Sequence, residues 1–143
     1  MCHVHGVSSH HLILTGADRK RLQSPEDIRD ILDKSFARSA FETIHIFHLD
    51  SDRHLLGRSV MGSEHEGEVE LPIRRIIGEA LELGSSMIVI AHNHPSGDPS
   101  PSRADQLATK KLADIARALD IRLLDHMILA GDHSYSFAES GLL

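Results

Sequence analysis

The residues best suited to do chemistry in this chain are two histidines and an aspartate between positions 92 and 105. His92 and His94 follow an apolar, β-branched run at residues 87–91 that is typical of a buried strand. Side chains at positions i and i+2 of extended backbone point the same way, so both imidazoles can face one metal ion. Residues 95–97 form a turn, and Asp105 returns at the start of a helix. Two histidines and one carboxylate with an open fourth position indicate a catalytic zinc site.

Ser102 has two compatible interpretations. It stands three residues before Asp105, which is the spacing of a capping box at a helix N-terminus. Its hydroxyl could also stabilise an oxyanion beside a metal. Taken alone, the residue pattern favours the cap. A lone His-x-His is a weak signal in a chain with 12 histidines, but its combination with the downstream Ser-x-x-Asp indicates a metal site.

The combined pattern resembles the JAMM motif of the JAB/MPN metalloprotease superfamily. The stretches 92–99 and 125–129 and the ending at 135–143 are similar to those of its RadC-like branch. The resemblance extends from roughly residue 25 to the end of the chain. It implies a cytidine-deaminase-like JAB/MPN architecture and a zinc-dependent metallopeptidase that hydrolyses peptide or isopeptide bonds.

In RadC-like sequences a glutamate stands eight residues before an aspartate that ends a strand, and Glu42 and Asp50 have this spacing here. The resemblance therefore also implies that Glu42 is the general acid/base. Without the resemblance, Glu42 is an exposed acid at a helix–strand junction. By charge alone it has four rivals: Glu64, Glu66, Glu68 and Glu70.

These assignments define an expected mechanism. Zinc held by His92, His94 and Asp105 would activate water, and Glu42 would move a proton to the leaving nitrogen. Ser102 would donate a hydrogen bond to the oxyanion. We therefore expect a protein or peptide substrate of unknown identity. Two alternatives stay open, a non-catalytic interaction module and a DNA-repair-associated protein, the latter suggested by the historical label of the RadC branch.

Composition limits the partners. A net charge of −6 and an aromatic content of 3% argue against broad nucleic-acid binding, although a local basic patch stands at residues 19–21. The single Cys2 can form neither an internal disulfide nor a cysteine-rich zinc site. The sequence contains no apolar span of membrane length and no signal segment, so we expect a cytoplasmic protein without a membrane partner.

The pattern of elements predicts a mixed α/β sheet with flanking helices, in a domain spanning residues 23–143 after a His-rich tail at residues 1–22. Predicted helices begin at Pro25 behind a Ser24 cap, at Pro72, and after Ser102, and the second of them is predicted to end at Gly84. His126 is expected to be a core histidine or a partner to a ligand, and His133 a solvated turn residue. The predicted inward-facing residues of the later helices include Leu81, Leu107, Leu112, Ala116 and Leu119.

Overall fold

The computed structural model describes residues 7–13, 20–32, 36–63 and 70–143. Within these ranges the strands are β1 Val7–Ile13, β2 Thr43–Leu49, β3 Leu55–Ser63, β4 Met87–Asn93, β5 Arg122–Ala130 and β6 His133–Ser136. The α-helices are α1 Pro25–Ile31, α2 Ile73–Leu83 and α3 Arg103–Ala118, and a short 3-10 helix spans Phe36–Arg38.

The strands form one mixed sheet in the order β1-β3-β2-β4-β5-β6. Strands β4 and β5 are parallel and are linked through α3, whereas the other neighbours are antiparallel. Helices α2 and α3 pack against one apolar cluster of the sheet, and α1 and the 3-10 helix against a second cluster. The predicted α/β architecture with a mixed sheet and flanking helices is confirmed.

Local chemistry at the helix ends explains where the helices begin and stop. Ser24 caps α1, and Pro25 occupies its first turn, where a missing N–H costs nothing. Helix α2 ends at Gly84, whose φ of 65° lies in the left-handed region that glycine tolerates. Ser102 caps α3. All three boundaries agree with the sequence prediction.

The N-terminal segment differs in part from the predicted tail at residues 1–22. Val7–Ile13 forms an edge strand that pairs antiparallel with β3, because main-chain hydrogen bonds can order a segment that lacks clear apolar alternation. Leu22 is buried against the second apolar cluster. Residues 1–6 and 14–19 lie outside the described residues, so the division into a tail and a domain from residue 23 stays a prediction.

Three leucines predicted to face inward are exposed instead. Leu81, Leu107 and Leu119 are 57%, 60% and 44% exposed. On α3 the buried positions are Thr109, Leu112 and Ala116, so the sheet-facing stripe is narrower than the apolar pattern suggested. The last strand begins at His133 instead of the predicted Tyr135, and His133 is exposed as expected. In the described part of the chain, no helix has the length and apolar character needed to span a membrane.

Candidate metal centre

The candidate centre lies at one edge of the sheet, where three elements meet. His92 is near the carboxyl end of β4, and His94 follows that strand. Because β2 runs antiparallel to β4, with Ile44 opposite His92, the residue that enters β2 lies at the same edge. That residue is Glu42, and the first turn of α3 brings Asp105 to the same place.

Four side chains predicted from the sequence converge here. The Nε2 atoms of His92 and His94 lie 2.9 Å apart. Asp105 places Oδ1 3.7 Å from Nε2 of His92 and Oδ2 3.2 Å from Nε2 of His94. Oε1 of Glu42 lies 3.7 Å from Nε2 of His92. The side chains are only 4% to 19% exposed, so the cluster is shielded from bulk water.

Hydrogen bonds to the other ring nitrogens suit both histidines to metal binding. Nδ1 of His94 lies 2.9 Å from the carbonyl oxygen of Asp98, which can only accept, so Nδ1 carries a proton and Nε2 is the nitrogen that faces the candidate centre. Nδ1 of His92 lies 2.5 Å from Nε2 of His126, whose Nδ1 lies 2.6 Å from the Thr109 hydroxyl. If Nδ1 of His92 donates to Nε2 of His126, and Nδ1 of His126 donates to the Thr109 hydroxyl, then Nε2 of His92 carries no proton and its lone pair is available to a metal. Two such nitrogens beside a carboxylate match the ligand chemistry of zinc.

The protonation states of His92 and Asp105 agree with this ligand set. Burial lowers the pKa of His92 to about 4, against the opposing effect of Asp105, so the ring is neutral at pH 7. Burial alone would raise the pKa of Asp105, but hydrogen bonds from His94 and from the Ser102 main chain hold it well below its usual range. The bond to Asp105 in turn raises the pKa of His94, so a proton on Nε2 of His94 has to leave before that nitrogen can bind a metal. Asp105 is therefore a carboxylate at neutral pH, as a metal ligand must be.

The cap of α3 orients Asp105. The Ser102 hydroxyl accepts a hydrogen bond from the Asp105 N–H at 3.0 Å, and the Ser102 N–H donates to Oδ2 of Asp105 at 2.9 Å. This reciprocal pair is the predicted capping box. It fixes the Asp105 carboxylate toward the histidines, so the serine supports the centre whether or not it also acts in catalysis.

Comparison with known families agrees with this geometry. The family described as the RadC-like JAB domain matches residues 22–142. The chain belongs to that family. The match covers the centre and every described helix, and it confirms the resemblance drawn from the sequence motifs.

Asn93 is a site residue of this RadC-like JAB domain that the sequence analysis did not single out. It lies between the two histidines, but its side chain is on the opposite face of β4 and is fully buried. Oδ1 accepts a hydrogen bond from the Thr43 N–H at 2.7 Å, and Nδ2 donates to the carbonyl oxygen of Phe41 at 2.8 Å. Asn93 thus holds the backbone on both sides of Glu42. An amide amid a buried apolar strand was the available signal, because such a group needs partners.

His126 and Thr109 form a second layer behind His92. His126 is 2% exposed, and its ring stacks on that of Phe137 with centroids 4.8 Å apart. His126 is therefore buried, as predicted, and it is hydrogen-bonded to the candidate ligand His92. Thr109 was missed, although it stands four residues after Asp105 and such positions share a helix face.

Other acidic groups of the RadC-like JAB domain are placed differently. Glu70 is exposed at the rim of a cavity beside the centre, and Glu64, Glu66 and Glu68 lie outside the described residues. Potential ligand atoms also cluster in the β2–β3 turn, at Asp50, Asp52 and His54. There, however, Oδ1 of Asp50 accepts two main-chain N–H bonds that shape the turn.

Proposed function

We propose that this RadC-like JAB domain is a zinc-dependent hydrolase of peptide or isopeptide bonds. The observation that carries the proposal is the convergence of two imidazole Nε2 atoms and the Asp105 carboxylate, with a second buried carboxylate, Glu42, beside them. In this arrangement the two imidazoles and Asp105 can hold a metal, and Glu42 is left to move a proton. It opens onto a cavity of about 420 Å³, a size typical of ligand sites.

His92, His94 and Asp105 would hold the zinc. Bound zinc supplies a Lewis acid that polarises a carbonyl and makes water a nucleophile at neutral pH. Glu42 competes with Asp105 for the ligand role, because its carboxylate is also within 4.8 Å of both histidines' ligand atoms. We assign the role to Asp105 because its two oxygens each approach a different imidazole and its carboxylate is fixed by the cap of α3.

Glu42 would then act as the general base and acid. Its side chain is buried and borders the cavity, so it can reach a water molecule placed beside the histidines. It would accept a proton from the attacking water and deliver it to the nitrogen as the carbon–nitrogen bond breaks. The Ser102 hydroxyl oxygen accepts a hydrogen bond from the main-chain N–H of Asp105. The hydroxyl proton is therefore still available for donation to the developing oxyanion.

The decisive experiment compares substrates on the zinc-loaded chain. A panel of peptides and of lysine-branched isopeptides should be hydrolysed, while single- and double-stranded DNA should stay intact. The His94→Ala variant, which removes one ligand, should lose this activity. Cleavage of DNA without cleavage of any peptide would favour a nuclease, and a zinc-bound chain inert toward both would favour an interaction module. The cytoplasmic location stays a prediction.

A further inference from the structure

The cavity beside the centre has a mostly aliphatic wall. Glu42, His92 and Asp105 of the candidate centre border it. Ile44 extends from β2, and Leu71 and Ile73 come from the start of α2. Such a surface next to the reacting groups favours an apolar side chain over a polar one, because the gain comes from removing apolar area from water.

Helix α3 contributes both small and large side chains to the lining of this cavity. Ala104 and Ala108 leave space, whereas Leu107 projects beside them and is 60% exposed. Leu107 therefore does not pack into the core between α3 and the sheet. An exposed leucine within a concave surface beside candidate zinc ligands is suited to contact a bound chain.

One cation of α3 also lines the cavity. Among the described residues that line the cavity, Lys111 is the single lysine or arginine, and three carboxylates accompany it. Lys111 follows Asp105 by six residues of the same helix, which places it about 9 Å further along the helix axis. An extended peptide advances roughly 3.5 Å per residue, so this distance corresponds to two or three substrate residues.

We propose that the cavity selects substrates with an aliphatic side chain next to the scissile bond and a carboxylate two or three residues away, bound by Lys111. This selectivity rests on the proposed peptide hydrolysis and names its substrate class. Lys111 is proposed to bind the substrate carboxylate because both Lys111 and Asp105 belong to α3, which fixes the distance between them. Glu70, also at the rim, would repel the same group and thereby limit where it can bind.

Binding can be measured without turnover on the zinc-loaded Glu42→Gln variant. The probes are fluorescein-labelled hexapeptides of glycine carrying one leucine and, two or three positions to either side, one glutamate. We expect replacement of the leucine by serine to weaken binding about tenfold. Replacement of the glutamate by glutamine should weaken it about threefold, because a single exposed ion pair contributes little.

Paired variants assign these effects to residues. Lys111→Glu should reverse the charge preference, so that a lysine probe binds better than the glutamate probe, and Lys110→Glu, on the neighbouring exposed position, should not. Leu107→Gln should reduce the preference for leucine, whereas Leu119→Gln should leave it unchanged. All four positions are exposed, three on α3 and Leu119 at its end, so the fold should tolerate these changes.

The outcomes separate the two proposals. Equal effects of Lys111→Glu and Lys110→Glu, a wild-type preference for the lysine probe, or no binding of any probe would overturn the selectivity. Hydrolysis of peptides without these preferences would overturn the selectivity and leave the proposed function intact. The expected binding pattern without hydrolysis by the wild-type chain would overturn the proposed function and leave the selectivity of the cavity supported.

Discussion

The side-chain amide of Asn93 bonds to the main chain on both sides of Glu42. It accepts from the Thr43 N–H at 2.7 Å and donates to the Phe41 carbonyl oxygen at 2.8 Å. The adjacent residue of the same strand, His92, points to the opposite face and reaches the candidate metal centre. Two consecutive residues of β4 therefore position a candidate ligand and the candidate base, which fixes their relative placement through the sheet.

This relationship predicts the effect of Asn93→Ala. The change leaves the Thr43 N–H and the Phe41 carbonyl, which make part-buried hydrogen bonds, without this partner, and this should lower the free energy of unfolding by about 1 kcal/mol. Glu42 should also lose its fixed position, so the turnover number should fall more than the Michaelis constant changes. Urea unfolding and steady-state kinetics measure the two effects. Zinc binding should persist, and its loss together with activity would mean that Asn93 supports the ligands instead.

Much of this fold is predictable because its signals are local. The capping serines, Gly84 and the apolar run of β4 act within a few residues of themselves, and each was placed correctly. The convergence of His92 and His94 follows from strand periodicity. The meeting of Glu42 with these histidines depends on antiparallel pairing between distant strands, so the sequence supported it only through the family resemblance.

The errors have physical causes of the opposite kind. Strand β1 is stabilised by pairing with β3. This interaction is non-local, so the residues of β1 alone do not predict it. Leu107 fits the apolar stripe of α3, yet it borders a cavity, and apolar periodicity cannot distinguish a core from a concave surface.

The chain of hydrogen bonds from His92 through His126 to Thr109 should raise the zinc affinity of the centre. Thr109→Val removes the last hydrogen-bond partner with little change in shape, and His126→Phe removes both ring nitrogens while keeping an aromatic ring against Phe137. We expect His126→Phe to weaken zinc binding about 10- to 100-fold and Thr109→Val to weaken it less. Competition with a chromophoric chelator measures the affinities. The exposed His133→Phe is the control, and equal affinities of His126→Phe and this control would refute the role of these hydrogen bonds.

Ser102→Ala tests whether the serine only caps α3. Loss of the cap should cost about 1 kcal/mol of stability in either case. If the hydroxyl also stabilises the oxyanion, the turnover number should fall on the order of a hundredfold. Ser24→Ala is a matched control, because Ser24 forms the same capping box on α1. Ser102→Asp retains a cap but places a negative charge near the oxyanion, so it should be folded and inactive. Near wild-type activity in that variant would restrict Ser102 to capping.

Glu79 should make stability depend on pH. Burial would raise its pKa, but hydrogen bonds from Ser59, Arg75 and His48 outweigh burial and lower it from 4.5. A carboxylate with a lowered pKa stabilises the folded state above the unfolded value, and this contribution is lost as pH falls through the folded value.

Glu79→Gln removes that charge. Its loss of unfolding free energy relative to wild type, about 2 kcal/mol at pH 7, should shrink as the pH falls below 4.5. Urea unfolding at several pH values measures it, with the exposed Glu82→Gln as control. A difference independent of pH would mean that Glu79 contributes shape and not charge.

Zinc titration of six purified proteins tests the central assignment most directly. Wild type and Glu42→Gln should each bind about one zinc tightly, because the proposed centre has three ligands, His92, His94 and Asp105, and Glu42 is not among them. His92→Ala and Asp105→Ala should lose tight binding, whereas His3→Ala and His11→Ala should keep it and so exclude the His-rich N-terminal residues as the source. If Glu42→Gln loses the zinc while Asp105→Ala retains it, the two carboxylates have exchanged roles and the proposed mechanism is wrong.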